Sequence, residues 1–299
     1  MKNFPSKYRR FTLLLSLLMA IGAHAQINTD QVVNIGRNAL YFEDYVLAIQ
    51  YFNQAIKTKP FLAEPYFYRS VAKISLEDYR GAEQDAGLAI ERNPFIVDAY
   101  QVRGVSRQNM GNFKGAVEDY VEGLKLMPED RNLLLNLAVC HSALREFDDA
   151  QQAFDRLLRL DRRNDRAFIG LAQMNLARKD TTTALDNLDH AIALSKKNAS
   201  AYVMRAEIYM RTHRDFEKAL ADMDSAIMLE PRYSGYFINR AFMKYNLDDY
   251  FGAMADYDYA IVLDPASQEA HFNRGLLRAE VGDNNKAISD FSFVLKNNP

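Results

Sequence analysis

The chain has 299 residues, 48% of them apolar, which is enough to bury a large core. Its 37 Lys and Arg nearly balance 39 Asp and Glu; with the four basic residues of the first ten positions set aside, 33 basic residues face 39 acidic ones, a net charge of −6. A mildly acidic body without basic runs argues against nucleic acid or an anionic membrane as the main partner.

The N-terminal segment has the pattern of an export signal. Four basic residues precede an apolar run over 11–23, and Ala23-His24-Ala25 fits a cleavage site between small residues. The run is short for a membrane span. We therefore predict a signal peptide over 1–25, a short linker over 26–28, and an exported protein, periplasmic or secreted. An uncleaved anchor or a buried first helix is the alternative.

The prolines reveal an internal repeat. With Pro5 and Pro65 set aside, the prolines at 60, 94, 128, 231, 265 and 299 are separated by 34, 34, 103, 34 and 34 residues, and 103 is three periods plus one. Length alone would predict about two domains, but a period of this size indicates a repeat architecture. The extra residue is expected in the sixth repeat, between its helices around 211–215.

Each repeat has the pattern of two amphipathic helices. A small residue recurs in all eight repeats, twelve positions before the proline where one is present: Ala48, Ala82, Ala116, Ala150, Ala184, Ala219, Ala253 and Ala287. Four residues later most repeats carry a large apolar side chain: Phe52, Tyr120, Phe154, Leu188, Met223, Tyr257 and Phe291. A spacing of four places both residues on one helix face. Short turns such as Met110-Gly111-Asn112 separate the helices, and the proline ends the second one.

This pattern resembles the tetratricopeptide repeat over nearly the whole mature chain. Gly36, Gly104 and Gly275 match the family's small residue in the first helix, and aromatic residues such as Tyr66 and Tyr100 replace its early Trp. The resemblance implies an all-α fold over 29–299, a right-handed superhelical solenoid of eight helix-turn-helix units. We assign the units to 29–62, 63–96, 97–130, 131–164, 165–198, 199–233, 234–267 and 268–299.

Five repeats share a pair of charges. An arginine in the first helix accompanies an aspartate in the second, and the three repeats without the arginine also lack the aspartate. Because both charges come and go together, we predict an ion pair within each of these repeats: Arg69–Asp85, Arg103–Asp119, Arg205–Asp222, Arg240–Asp256 and Arg274–Asp290. Pairing between repeats fits the pattern less well. A shared ancestral repeat, with each charge solvated on its own, is the alternative explanation.

The resemblance implies a concave groove lined by the first helices, which would hold the protein partner. Two positions per helix are expected to line it: Phe67, Val71, Gln101, Val105, Leu135, Val139, Ile169, Gln173, Val203, Glu207, Ile238, Phe242, Phe272 and Leu276. This lining is mostly apolar, and the alternative is that part of it is core. A subset of the family binds a C-terminal carboxylate with Lys, Asn and Arg on successive first helices. Asn136, Asn239 and Asn273 are present here, but the Lys and Arg are absent from the matching positions.

No constellation of catalytic, metal-ligating or cofactor-binding residues stands out. His141, His190, His213 and His271 occupy different repeat positions, Cys140 is the only cysteine, and no Gly-rich phosphate loop occurs. We therefore predict a non-catalytic scaffold or adaptor, without metal or cofactor, that binds a partner peptide or helix. The alternative is a targeting or regulatory region of a larger enzyme or sensor whose active domain lies beyond residue 299.

The last repeat is expected to need cover. Its second helix runs through Ala287, Phe291 and Leu295, and no capping helix follows in the sequence. Repeat arrays need a polar terminal face, because the last unit otherwise exposes apolar surface meant for a neighbour. Downstream sequence, a partner or self-association with a second copy of the chain would cover it; a short, tolerably stable end is the alternative.

Overall fold

The computed structural model describes residues 28–297, so the predicted signal peptide over 1–25 lies outside the described part of the chain. Within 28–297 the chain forms sixteen α-helices joined by short turns and contains no strand. The predicted all-helical repeat fold is therefore confirmed. By packing, the chain forms two compact units, whose boundary in the sequence lies between Cys140 and His141.

The sixteen helices divide between the two compact units. The first compact unit contains α1 Thr29–Tyr41, α2 Tyr45–Thr58, α3 Glu64–Ser75, α4 Tyr79–Arg92, α5 Val97–Asn109, α6 Phe113–Leu126 and most of α7 Arg131–Ala143. The second contains α8 Phe147–Leu160, α9 Asp165–Ala177, α10 Thr181–Leu194, α11 Ala199–Ile208, α12 Phe216–Leu229, α13 Ser234–Asn246, α14 Tyr250–Leu263, α15 Gln268–Glu280 and α16 Asn284–Asn297.

The recurring small residues allow the two helices of a repeat to approach closely. A Cβ added at Gly36 would lie 2.7 Å from the ring of Phe52, and one added at Gly104 would lie 2.5 Å from the ring of Tyr120. Both rings are completely buried. A side chain larger than hydrogen at these glycines would push the helices apart and open a poorly packed core.

The turn between the two helices of a repeat has the same geometry in every repeat except the sixth. In the first repeat the amide of Asp44 donates to the carbonyl of Ala39, five residues back, and Glu43 between them has a φ of 61°. This is the Schellman ending of a helix, which needs one left-handed residue. Glycine fills that position in only two repeats, at Gly111 and Gly282.

The same turn also starts the second helix. The residue after the left-handed one caps it: the carboxylate of Asp78, for example, accepts a hydrogen bond of 2.9 Å from the amide of Gly81. Asp44, Asn112, Asp180, Asp215 and Asp249 cap their helices in the same way. Side chains at this position satisfy an amide that the helix itself cannot pair.

The extra residue of the sixth repeat lies inside its turn. Helix α11 continues into a π-helical segment, Tyr209–His213, and Arg214 takes the left-handed conformation with a φ of 51°. The amide of Asp215 donates to the carbonyl of Tyr209, six residues back instead of five. One added residue is thus absorbed as a wider helical turn, and the start of α12 keeps its capping residue.

One glycine in a turn and one within a helix allow the cost of the left-handed turn to be measured. Gly111→Ala should destabilise the protein by about 1 kcal/mol, because a Cβ there meets no atom within 4 Å and only the backbone conformation is penalised. Gly87→Ala, within helix α4, should instead stabilise by about 0.5–1 kcal/mol. Urea unfolding followed by circular dichroism measures both changes. Destabilisation of equal size by both substitutions would contradict this account of the turn.

Candidate functional site

The structure brings together the arginine and aspartate of all five predicted pairs. Nε and Nη2 of Arg205 donate to Oδ2 and Oδ1 of Asp222 at 2.8 and 2.6 Å. The same two-pronged contact joins Arg69 to Asp85, Arg240 to Asp256 and Arg274 to Asp290, and Arg103 directs both nitrogens at Oδ1 of Asp119. All five aspartates are buried. A buried carboxylate needs such a charged partner.

Four of the five arginines also reach the preceding repeat, which the sequence did not predict; for Arg69 the acceptor is Asn53. Nη1 of Arg205 donates to Asp189 at 2.6 Å, and the corresponding nitrogens of Arg240 and Arg274 donate to Asp224 and Asp258. Each of these arginines therefore contacts two side chains, one in its own repeat and one in the preceding repeat. A guanidinium has five donors in a planar fork and can serve two carboxylates at once. The signal was present as Asp-x-Asp in 222–224 and 256–258.

A second cation supports the aspartate in four of the five repeats. Lys73, Arg107, Lys244 and Arg278 each follow the paired arginine by four residues and lie 2.7–3.1 Å from its aspartate. The sixth repeat has Tyr209 at that position instead. The hydrogen bond to Asp222 raises the pKa of Arg205, so the arginine stays charged at any physiological pH.

The electrostatic balance differs between repeats: in the third, burial raises the pKa of Asp119 despite Arg103 and Arg107, whereas in the eighth the cations prevail. Burial alone would raise the pKa of Asp290, but the hydrogen bonds from Arg274 and His271 and the charge of Arg278 hold that pKa below its usual value. The ionised form is therefore the one that the fold stabilises. This contribution is present above the pKa of an unfolded aspartate, about 3.9, and is lost as the pH falls through the lowered folded value.

The residues predicted to line a groove differ widely in exposure. Phe242, Phe272 and Leu276 are 43–49% exposed, and Gln173 is exposed as well. Leu135 and Ile238 are buried and belong to the core, so they offer no surface to a partner. The remaining predicted residues are half-buried: Phe67, Val71, Gln101, Val105, Val139, Ile169, Val203 and Glu207. The exposed apolar part of the prediction therefore lies on α13 and α15.

A shallow cavity lies beside these exposed residues. Its volume is about 150 Å³, and it is lined by Phe242, Tyr245, Tyr257, Asn273, Leu276, Leu277 and Glu280. Tyr245 donates a hydrogen bond of 2.7 Å to Glu280, which raises the pKa of the tyrosine and fixes the edge of the cavity. The cavity thus combines an apolar floor with one acidic group at its rim.

Tyr245 and Glu280 also line the cavity, although neither was predicted from the sequence. Tyr245 follows Phe242 by three residues, and Glu280 follows Leu276 by four. Residues three or four apart share a helix face, so extending the two predicted positions by one helical turn would have found both. We name Phe242, Tyr245, Phe272, Leu276 and Glu280 the inner site.

Reactive groups are few in the described part of the chain. Burial raises the pKa of Cys140 to about 12, and its thiol lies 3.4 Å from Oε1 of Gln108, so it is protonated at neutral pH. His141, Glu146 and Asp149 could each offer one atom to a cation, all within 4.8 Å of one another. His141 and Glu146 already contact each other at 2.7 Å, so neither needs an ion.

Across 28–297 no helix is long and apolar enough to cross a membrane.

Comparison with known proteins supports the resemblance to tetratricopeptide repeat proteins. A sequence model of the tetratricopeptide repeat family matches residues 109–174, while no curated protein sequence matches the chain. The crystal structure of a tetratricopeptide repeat protein from Parabacteroides merdae ATCC 43184 is similar, with a TM-score of 0.65 and 16% identity, and the match covers 87% of this chain and 98% of that chain.

Two further structures share the fold. The pilF protein of Pseudomonas aeruginosa matches with a TM-score of 0.59 and 18% identity, over 73% of this chain and 97% of its own. The Cut9–Hcn1 hetero-tetramer of the APC/C matches with a TM-score of 0.59 and 13% identity, over 95% of this chain and 56% of its own. The fold is that of tetratricopeptide repeat proteins, and the resemblance predicted from the sequence is confirmed. Such repeats generally act as protein-interaction scaffolds and are generally non-catalytic.

The second cation allows the arginine contact to be tested by matched substitutions. Arg205→Met should cost about 3–5 kcal/mol, because Asp222 has no other cation in contact and is left as a buried, unpaired charge. Arg240→Met should cost less, about 1–3 kcal/mol, because Lys244 still contacts Asp256 at 2.8 Å. Urea unfolding of both variants measures the difference. Equal losses would show that the second cation does not support the carboxylate.

Proposed function

We propose that this protein is a non-catalytic interaction scaffold that binds a peptide or helix of a partner protein at the inner site. The observation that carries the proposal is the exposure of Phe242 and Leu276 at one cavity, with the exposed Phe272 one helical turn before Leu276 on α15. Clustered exposed apolar side chains with a polar rim are typical of protein-binding surfaces. A large apolar side chain of the partner would enter the cavity.

The rim favours a cation beside that apolar anchor. Glu280 lies at one edge of the cavity, and no Lys or Arg lines it. A Lys or Arg neighbouring the anchor residue would pair with this carboxylate at partial exposure, contributing orientation more than affinity. The favoured ligand is thus a short segment with one large apolar residue and one basic residue.

A peptide library displayed on phage tests this proposal. Selection against the purified full chain should enrich peptides that carry an apolar residue next to Lys or Arg. Phe242→Ser and Leu276→Ser should each weaken the selected peptide by about tenfold or more, since one lost anchor removes about 1.4 kcal/mol or more. Lys114→Ser, on the exposed face of α6, serves as the control and should bind normally. Failure to select any peptide, or unchanged binding by both inner-site variants, would falsify the proposal.

We further propose that the protein is exported after cleavage behind Ala25. The basic, apolar and Ala-x-Ala pattern of residues 1–25 supports this proposal. Export would place the inner site in the periplasm or outside the cell, where its partner must also reside.

N-terminal sequencing of the protein purified from its native host tests export. The expected first residue is Gln26. A control preparation in which Ala23 and Ala25 are both replaced by bulky residues should retain the uncut N-terminus, because signal cleavage requires small side chains there. A mature native protein that begins at Met1 contradicts the proposal.

Self-association through the last repeat stays a prediction. Ile288 and Leu295 on α16 are exposed, which supports it. Attachment to an active domain of a larger enzyme or sensor is the remaining alternative, and no described residue favours it over a separate scaffold.

A further inference from the structure

Helix α14 is apolar on the side that faces solvent as well as on the side that faces the core. Ala253, Tyr257 and Ala260 are buried, whereas Phe251 is 89% and Val262 is 72% exposed. A helix that is apolar all round is normally covered on all sides. The apolar composition of the exposed face of α14 therefore indicates that another molecule or segment packs against it.

The exposed residues form one continuous stripe. Phe251, Ala255, Tyr259 and Val262 follow one another at spacings of four, four and three residues, which places them on one helix face. Met228, 84% exposed, occupies in α12 the position that Val262 occupies in α14. We name these five residues the outer stripe. They lie on second helices, whereas the inner site is built on first helices.

The repeat register shows that this apolarity is not a requirement of the fold. The position of Val262 holds Lys57, Glu91, Lys125 and Arg159 in the first four repeats, and all four are exposed. The position of Phe251 holds Arg80, Lys114, Asp148 and Glu217 in four other repeats, again exposed, and the exposed apolar Val46 in the first. The repeat folds with charged residues at both positions, so packing within the repeat does not explain Phe251 and Val262.

Four acidic side chains lie next to the stripe, whereas the position of Val262 in α16 holds the exposed Lys296. Asp224 precedes Met228 by one helical turn, and Asp258 precedes Val262 by one helical turn; both carboxylates remain half-exposed beside their arginines. Glu230 and Asp264 follow the apolar residues and are exposed. A second copy of the chain would bring like charges together, and an anionic membrane would be repelled.

We propose that the outer stripe binds an amphipathic helix of another protein, with apolar residues on one face and Lys or Arg beside them. Phe251, Tyr259 and Val262 would pack against the apolar face, as a helix packs into a neighbour in a bundle. The basic flanks would meet Asp258 and Asp264. Tyr259 is already fixed by edge-on contact with Phe237 at 4.7 Å, so part of the surface is preorganised.

Synthetic helices of defined charge test this surface. The probe is a fluorescent amphipathic peptide of about 18 residues, five helical turns, with leucines on one face and lysines flanking them. Its control has glutamates in place of the lysines. In fluorescence anisotropy the lysine peptide should bind the full chain, and the glutamate peptide should bind at least about tenfold more weakly.

The repeat itself supplies substitutions that should preserve the fold. Phe251→Lys and Val262→Arg introduce the residues that the third and fourth repeats carry as Lys114 and Arg159. Each should weaken the lysine peptide at least about tenfold, and Met228→Lys should weaken it further in combination. Phe242→Ser at the inner site should leave this binding unchanged, which separates the outer stripe from the proposed function.

Three results would overturn the assignment. The first is unchanged binding of the lysine peptide by Phe251→Lys and Val262→Arg variants whose circular dichroism and melting match the parent. The second is equal binding of the glutamate peptide. The third is a dimer in sedimentation equilibrium that Phe251→Lys dissociates. That result would show that the outer stripe binds a second copy of the chain.

Discussion

A repeat of two helices cannot bury its own apolar face, and this constraint governs the molecule. Each repeat must hold its helices close together and must present the remaining apolar surface to a neighbour. Gly36 against Phe52 and Gly104 against Tyr120 show how close the approach is, since neither glycine has room for a Cβ. The close fit between glycine and aromatic ring at these contacts, more than the helix propensity of any segment, fixes how the two helices of a repeat pack.

In five repeats the close approach of the helices also buries an aspartate, and an arginine pairs with it because a buried carboxylate needs a charged partner. Asp222 and Asp256 would be costly in the core without a partner, and the planar guanidinium supplies two donors to each. Its remaining nitrogen reaches the previous repeat, so the arginine links three helices. Repeats with Leu137 and Leu171 at the arginine position reach a folded repeat without any such pair. The pair therefore serves to fix the register of neighbouring repeats more than to supply net stability.

Both proposed binding surfaces lie where a repeat departs from the commoner residues of its pattern. Phe242 and Leu276 supply exposed apolar groups on first helices, and Phe251 and Val262 do so on second helices where four other repeats have charges. Both departures occur in the second compact unit. A scaffold built this way can hold two partners on separate surfaces, because the two sets of residues share no side chain.

The sequence alone determined the period, the helix pairs, the place of the extra residue and which arginine meets which aspartate. These features depend on local spacing, which repeats 34 residues apart and is readable without the fold. Tertiary structure alone decided the contacts of four arginines with the preceding repeat and the exposure of each lining residue. Leu135 is buried while Val203, at the equivalent position, is half-buried. The exposure of such a residue depends on the size of the side chains that neighbouring helices pack against it. Burial is a property of packing between repeats, and no spacing within one repeat encodes it.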